Sequence, residues 1–329
     1  MTGRTEVALP FWLDRPDEEA LAIARAARDA EFDTLWIGEM ATYDVFALAT
    51  AVGHRVPGLH MKLGPLALAV RSPVALAMGA SSVAALTGCE VDIALGASSP
   101  PIVARWHDRP WGQHASRMRE TIQCLRPILD GARADYTGQH IRSQGFRLRN
   151  PMPDSKIAVG VFGPAMTRVA AQHADEVVLN LVSPAHVANA RATIDAAAAA
   201  AGRTPPRLTV WVPVAVDPGE ATHRQLSAQL AVYLAPPGYG EMFSELGFSD
   251  LVQRARSGTR RAELATTIPV ELLEQVGALG SPERVAERLR SYHDAGADTV
   301  AIVPSTAEDP GGAATLTAVA LQHNTTQEM

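Results

Sequence analysis

The segment Gly160-Val161-Phe162-Gly163-Pro164-Ala165-Met166 carries the clearest chemical signal in the chain. An apolar run enters a glycine turn and then a proline-started helix, whose first backbone N–H groups have no partner inside the helix. Together with the helix dipole, such groups suit a phosphate lying above the turn. The same residues also satisfy a tight turn that needs only small side chains, and the segment alone does not separate the two. Other apolar runs end in similar glycine-rich or polar stretches: Gly38-Glu39-Met40, Gly64-Pro65-Leu66, Gly96-Ala97-Ser98-Ser99 and Asn180-Leu181-Val182-Ser183. Glu39 is a candidate acid or base and equally a candidate helix cap. In Trp106-His107-Asp108-Arg109-Pro110-Trp111 an imidazole and a guanidinium stand between two indoles. That set can meet an anionic or polar ligand, or simply fix its own loop.

Several chemistries lack their residues. His54, His60, His107, His114 and His140 never fall into the His-x-His or His-x-x-x-His spacing of a hydrolytic metal centre. A GxSxG nucleophile turn is absent, as is a GxGxxG run after the first apolar segment. Cys89 and Cys124 stand far apart and read as buried small hydrophobes, with no disulfide framework or zinc cluster between them. Twenty-nine Lys plus Arg against 35 Asp plus Glu give a net charge of -6, and no basic run tracks a phosphate backbone, so nucleic acid is not an expected partner. With 47% hydrophobic and 19% charged residues the chain has material for a large core. No apolar run reaches about 18 residues and the N-terminus lacks a secretory pattern, so a cytoplasmic protein with no membrane partner is expected.

Placing the strand ends together requires a particular order of elements. Short Val, Ile and Leu runs alternate with amphipathic stretches, the pattern of parallel strands joined by crossover helices. Strands are expected at Glu6 to Phe11, Asp33 to Gly38, Met61 to Leu66, Val91 to Leu95, Lys156 to Val161, Glu176 to Leu179, Thr209 to Val216 and Thr299 to Val303. Asp14-Arg15-Pro16, Asp44, Ser72-Pro73 and Ser281-Pro282 mark helix starts, and a further helix spans Gly112 to Leu129. His54, His60 and His293 are read as scaffold on or beside helices. The stretch 29–37 echoes 294–302, a repeated helix-to-strand joint. Eight such units favour a single (β/α)8 TIM barrel over residues 1–329, with an open sheet as the alternative. Two insertions break the alternation: a hairpin at about 131–150, turning at Tyr136 to His140, and a segment at about 236–268 that serves as a lid or as outer packing.

Four stretches together resemble the luciferase-like flavin and deazaflavin oxidoreductases, within them the branch that uses coenzyme F420 and includes methylenetetrahydromethanopterin reductase. They are Gly163-Pro164-Ala165-Met166 through Asn180, Leu63-Gly64-Pro65 to Arg71-Ser72-Pro73, Trp106 to Trp111, and Ser281-Pro282 to Asp298. The resemblance implies a (β/α)8 barrel with the cofactor ring against the third strand, where a bulge with a cis peptide supports it. Here that bond falls at Gly64-Pro65, and proline lowers the cis penalty from about 3 kcal/mol to about 1 kcal/mol or less. Gly64, Pro65 and Leu66 would then back the ring. Gly160, Phe162, Gly163, Pro164, Ala165 and Met166 would line the phosphate turn, and Ala97, Ser98, Ser99 and Asn180 would meet the ring or its tail. Glu39 stands where the family has an acid near the ring, and Glu39 or His107 would be the nearest proton donor. Sugar-phosphate and alcohol dehydrogenase members carry a histidine directly after that acid and a tryptophan soon after, where this chain has Met40 and Tyr43. The resemblance thus implies an F420-dependent oxidoreductase acting on a small molecule, with homodimers common among its members. An FMN-dependent monooxygenase and a non-catalytic flavin-binding barrel are the alternatives.

Overall fold

A computed structural model describes residues 3–12, 14–39 and 41–327; Met40, compared above with a family histidine, lies outside the described residues. The strands are β1 (Arg4–Ala8), β2 (Thr34–Ile37), β3 (His60–Ala67), β4 (Val91–Gly96), β5 (Asp135–Thr137), β6 (Arg142–Gln144), β7 (Ile157–Gly160), β8 (Glu176–Asn180), β9 (Arg207–Val216), β10 (Ala278–Gly280) and β11 (Thr299–Pro304). Their order is β10-β9-β11-β1-β2-β3-β4-β7-β8, and β9 also pairs with β8. Strands β1, β2, β3, β4, β7, β8, β9 and β11 therefore close on themselves, and the fold is a (β/α)8 barrel. These are the eight strands the apolar runs predict. All residues of β2, β4 and β11 are buried, as expected of parallel strands covered on both faces.

Three helices begin where a short polar side chain accepts from free N–H groups. Asp44 accepts from Phe46 N and Ala47 N at the start of Val45–Arg55. Ser72 accepts from Ala75 N ahead of Pro73–Thr87, which Gly88 ends with φ 71°. Ser281 does the same for Arg284 N in Pro282–Asp294, whose Val285, Leu289 and Tyr292 are buried. Three boundaries differ from expectation. β1 starts at Arg4, paired with Thr299, and stops before Pro10, which has no N–H for the ladder. The next helix begins at Glu19, because residues 14–18 make a turn in which Glu19 N donates to Pro16 O at 3.0 Å. His60 opens β3 beside Thr34 rather than flanking a helix.

Contacts divide the chain into two compact units. In the unit of residues 33–178 and 190–209, Lys62 Nζ lies 3.0 and 2.9 Å from the two oxygens of Glu176. Lys62 and Glu176 are each 3% exposed. Thr209 Oγ1 donates to the same carboxylate, and Lys62 stands 4.7 Å over the Trp36 ring. The hairpin β5–β6 belongs to this unit, and buried Glu120 accepts from the backbone N–H groups of Gln139, His140 and Ile141 at its turn.

In the unit of residues 1–32, 179–189 and 210–329, Gln225 ties the loop after β11. Its Oε1 accepts from Ser305 Oγ and Thr306 N, and its Nε2 donates to Asp14. The second insertion folds as short helices Tyr239–Phe243, Ser249–Arg256 and Arg261–Ala265, with a wider turn at Ser244–Phe248. Its Met242, Phe243, Leu251, Val252 and Leu264 are buried. Among the described residues no helix is long and apolar enough to cross a membrane, and no group of three His, Cys, Asp or Glu is placed to hold a metal ion.

Candidate active site

Catalytic groups of a barrel sit at the C-terminal ends of its strands, and at β3, β4 and β7 those ends converge on Pro65. The β3–β4 register shifts between Leu63 and Leu66, and the Gly64–Pro65 peptide bond is cis, as the resemblance implies. Gly64 has φ 128°, and a Cβ there would lie 2.2 Å from Ala94 O and 2.6 Å from Leu66 N, both backbone atoms. Only glycine fits. Cβ atoms at Gly96 and Gly160 would stand 3.1 and 3.4 Å from the Pro65 ring. The flank of Pro65 toward β4 and β7 is thus bounded by glycine backbone instead of side chains, while Leu66 turns into the core at 1% exposure.

β7 runs directly into the phosphate-type turn. Gly163 has φ 76° and ψ 160°, a region essentially restricted to glycine, and nothing lies within 4 Å of where its Cβ would be. The helix Pro164–His173 follows, and no side chain caps its N-terminus. Pro164 and Ala165 are exposed, Phe162 is half-buried, and Met166 is buried as the first core anchor of the helix. After β4, Ser98 is exposed with φ 67°. Ala97 and Ser99 are half-buried.

His107 follows a wide helical turn at Pro101–Trp106, its N–H donating to Ile102 O at 3.2 Å. His107 and Arg109 are both exposed. Trp106 is 58% exposed, and Trp111 packs its ring 4.2 Å from His114. Burial, followed by the nearby Arg117 charge, lowers the His114 pKa.

Glu39 follows β2 and is not a lone carboxylate. Arg71 grips it with NH1 at 2.5 Å from Oε2 and NH2 at 2.6 Å from Oε1. The same NH2 reaches Asp44 Oδ2 at 2.7 Å, and the guanidinium stands 5.3 Å over the Phe46 ring. The hydrogen bond to Glu39, ahead of the opposing effect of burial, raises the Arg71 pKa. Val45 N also donates to Glu39 Oε1 at 3.3 Å, so Glu39 reaches the start of the helix that Asp44 caps. Both carboxylate oxygens already accept hydrogen bonds from the Arg71 guanidinium, which holds Glu39 in place as an acceptor.

Asn180 ends β8, two residues beyond Val178, the register partner of Gly160. Its Nδ2 donates to Tyr239 Oη at 3.3 Å. Arg71 and Tyr239 are the site residues that sequence reasoning missed. Arg71 lies 32 residues from Glu39, and only the pairing of β2 with β3 brings the two segments together. Tyr239 sits in the turn-rich run after Pro236, which signals a loop without indicating which strand end it meets.

A luciferase-like monooxygenase family model matches residues 11–299. The chain belongs to this family. A Mycobacterium tuberculosis protein named "Putative coenzyme F420-dependent oxidoreductase" is 25% identical over 91% of this chain and 94% of its own. The coenzyme F420-dependent tetrahydromethanopterin reductase of Methanopyrus kandleri superposes with a TM-score of 0.79 at 17% identity, covering 98% of each chain. An FMN complex of a type II Baeyer-Villiger monooxygenase from Pseudomonas putida gives 0.70 at 17% identity over 97% of each chain. Family membership makes the chain an enzyme of the oxidoreductase or monooxygenase class, on the barrel that these neighbours share.

Proposed function

We propose that this luciferase-like barrel is an F420-dependent oxidoreductase that moves a hydride between a bound deazaflavin and a small organic substrate. The observation that carries the reading is the side-chain-free surface around Pro65, made by Gly64, Gly96 and Gly160, beside the uncapped helix start at Gly163. A planar ring needs a flat backing that side chains do not obstruct, and a phosphate needs N–H groups not already taken by a cap. The residues present fit both. Gly64 and Pro65, with the backbone of Leu66, would support the ring, since the Leu66 side chain is buried in the core. The N–H groups of Gly163, Ala165 and Met166 would hold the phosphate, with Ala97, Ser98, Ser99 and Asn180 as further contacts to the ring or its tail.

When bound, a reduced deazaflavin supplies a hydride and reacts poorly with oxygen. The chain itself has to orient the acceptor, exclude water and manage a proton. Glu39, fixed by Arg71, orients a substrate N–H or O–H as an acceptor, while exposed His107 is the group suited to give or take the proton. The F420-dependent relative supports this reading over the FMN one. The substrate class is a molecule with a C=C, C=N or C–OH group.

The test is titration of the purified protein with F420 and separately with FMN, followed by tryptophan fluorescence, since Trp106 and Trp111 are exposed on the loop after β4. Tighter binding of F420 is expected. A preference for FMN would replace the reading with a monooxygenase, and binding of neither would overturn both cofactor readings.

A further inference from the structure

The second insertion brings an aromatic group onto the end of β8. Tyr239 Oη accepts from Asn180 Nδ2 at 3.3 Å, and the Tyr239 ring lies between Tyr233, with centroids 4.8 Å apart and tilted by 56°, and Phe243, at 6.3 Å and 27°. Phe243 is fully buried and anchors this ring set to the insertion's own core. Burial raises the pKa of both phenols, so each keeps its proton at neutral pH. The turn that presents Tyr239 is held separately. Glu241 accepts from Gly238 N, and Arg256 bridges Glu241 and the carbonyl of Ala235. Gly238, Gly247 and Gly258 have φ of 88°, 98° and 95°. Left-handed glycine joints thus bracket the helices Tyr239–Phe243 and Ser249–Arg256, the kind of position that absorbs a backbone rotation.

An amide side chain rotates about its last bond unless a partner fixes it, and its two ends present opposite hydrogen-bonding character. Its partners in this structure are the hydroxyls of Tyr239, at 3.3 Å, and of Tyr233. We propose that Tyr239 is a positioning residue: its hydroxyl fixes the Asn180 amide at the end of β8, and its ring ties the 236–248 segment to that amide. Ordering of the segment and ligand contact at Asn180 are then coupled. The inference rests on the reading above that Asn180 meets the ligand, and it extends that reading from a residue to the insertion that controls it.

The experiment compares wild type with Tyr239→Phe, Asn180→Ala and the double variant. Tyr239→Phe removes only the hydroxyl and keeps the ring contacts. The first readout is amide hydrogen exchange across 236–248 without ligand. Tyr239→Phe should speed exchange there about three- to tenfold, the equivalent of one hydrogen bond, Asn180→Ala at least as much because Tyr233 loses its partner too, and the double variant should add little to Asn180→Ala. Unchanged exchange in Tyr239→Phe, or fully additive effects in the double variant, would overturn the proposal.

The second readout is affinity for whichever of F420 or FMN the wild type binds. Tyr239→Phe should weaken it about three- to tenfold in the wild-type background and have little effect once Asn180 is already alanine. Equal affinity in Tyr239→Phe and wild type would overturn the positioning role. Failure of wild type to bind either cofactor overturns the proposed function instead, and the exchange result alone then decides whether Tyr239 fixes Asn180.

Discussion

Replacing Lys62 with methionine isolates the energetics of the buried charge pair in the barrel. Lys62 and Glu176 are each 3% exposed, and the ammonium bonds both carboxylate oxygens at 2.9 and 3.0 Å. Methionine keeps most of the side-chain length but loses the ammonium over Trp36 and leaves the Glu176 carboxylate inside the core without its cation. Breaking one side of a buried pair costs about 3–5 kcal/mol, while replacing every partner with apolar groups of similar shape is close to neutral. At 1.36 kcal/mol per factor of ten, Lys62→Met should lower the folding equilibrium constant by about 10²·² to 10³·⁷. With an m-value of about 3 kcal/mol/M, the urea midpoint should fall by about 1–1.7 M. Thr209 is fully buried and donates to the same carboxylate, so its hydroxyl also has to go. The triple variant Lys62→Met, Glu176→Leu, Thr209→Val should recover most of the loss. Equilibrium urea unfolding by circular dichroism reads both. A Lys62→Met loss under about 1 kcal/mol, or a triple variant no more stable than the single one, would refute the reasoning.

Gly163→Ala should weaken cofactor binding at least about tenfold and also cost about 1–3 kcal/mol of stability, because the site is open but φ 76° and ψ 160° are strained for alanine; parallel fluorescence titration and calorimetry separate the two effects. At His60, burial lowers the pKa but the hydrogen bond and charge of Asp92 outweigh it, so the folded value is raised above the ordinary 6.5. Its stabilisation is therefore complete below the ordinary value and lost as pH rises through the folded one. Thermal midpoints of wild type minus His60→Gln should shrink between pH 6 and pH 8.5, and a difference that grows with pH would contradict the sign. Glu120→Ala should expose the β5–β6 hairpin to proteolysis, since three backbone N–H groups lose their acceptor. Burial raises the Glu120 pKa, yet those three bonds bring it below the ordinary value. The hairpin should accordingly hold at neutral pH and loosen as pH falls below 4.5.

The barrel was legible in the sequence because its signals are local. Each strand is a short apolar run, three of the crossover helices carry their own starts at Asp44, Ser72 and Ser281, and the strand ends are marked by Gly38, Gly64, Gly96 and Gly160. The boundaries that moved are those where local signals compete. Asp14-Arg15-Pro16 has the composition of a helix start, but its residues close a turn on Trp12 and the helix waits until Glu19.

The sequence alone determined the fold class, the glycine positions around Pro65 and the turn into Pro164, since backbone conformation and small size are properties of single residues and their neighbours. Only the tertiary structure decided which charged and polar groups meet. Glu39 was readable as a carboxylate near a strand end, but its grip by Arg71 depends on β2 lying beside β3. Lys62, Glu176 and Thr209 come from three separate strands, and Tyr239 reaches Asn180 across 59 residues. A side chain's partner is fixed by which elements pack together, and that follows from the sum of all the burial in the fold, which no single motif encodes.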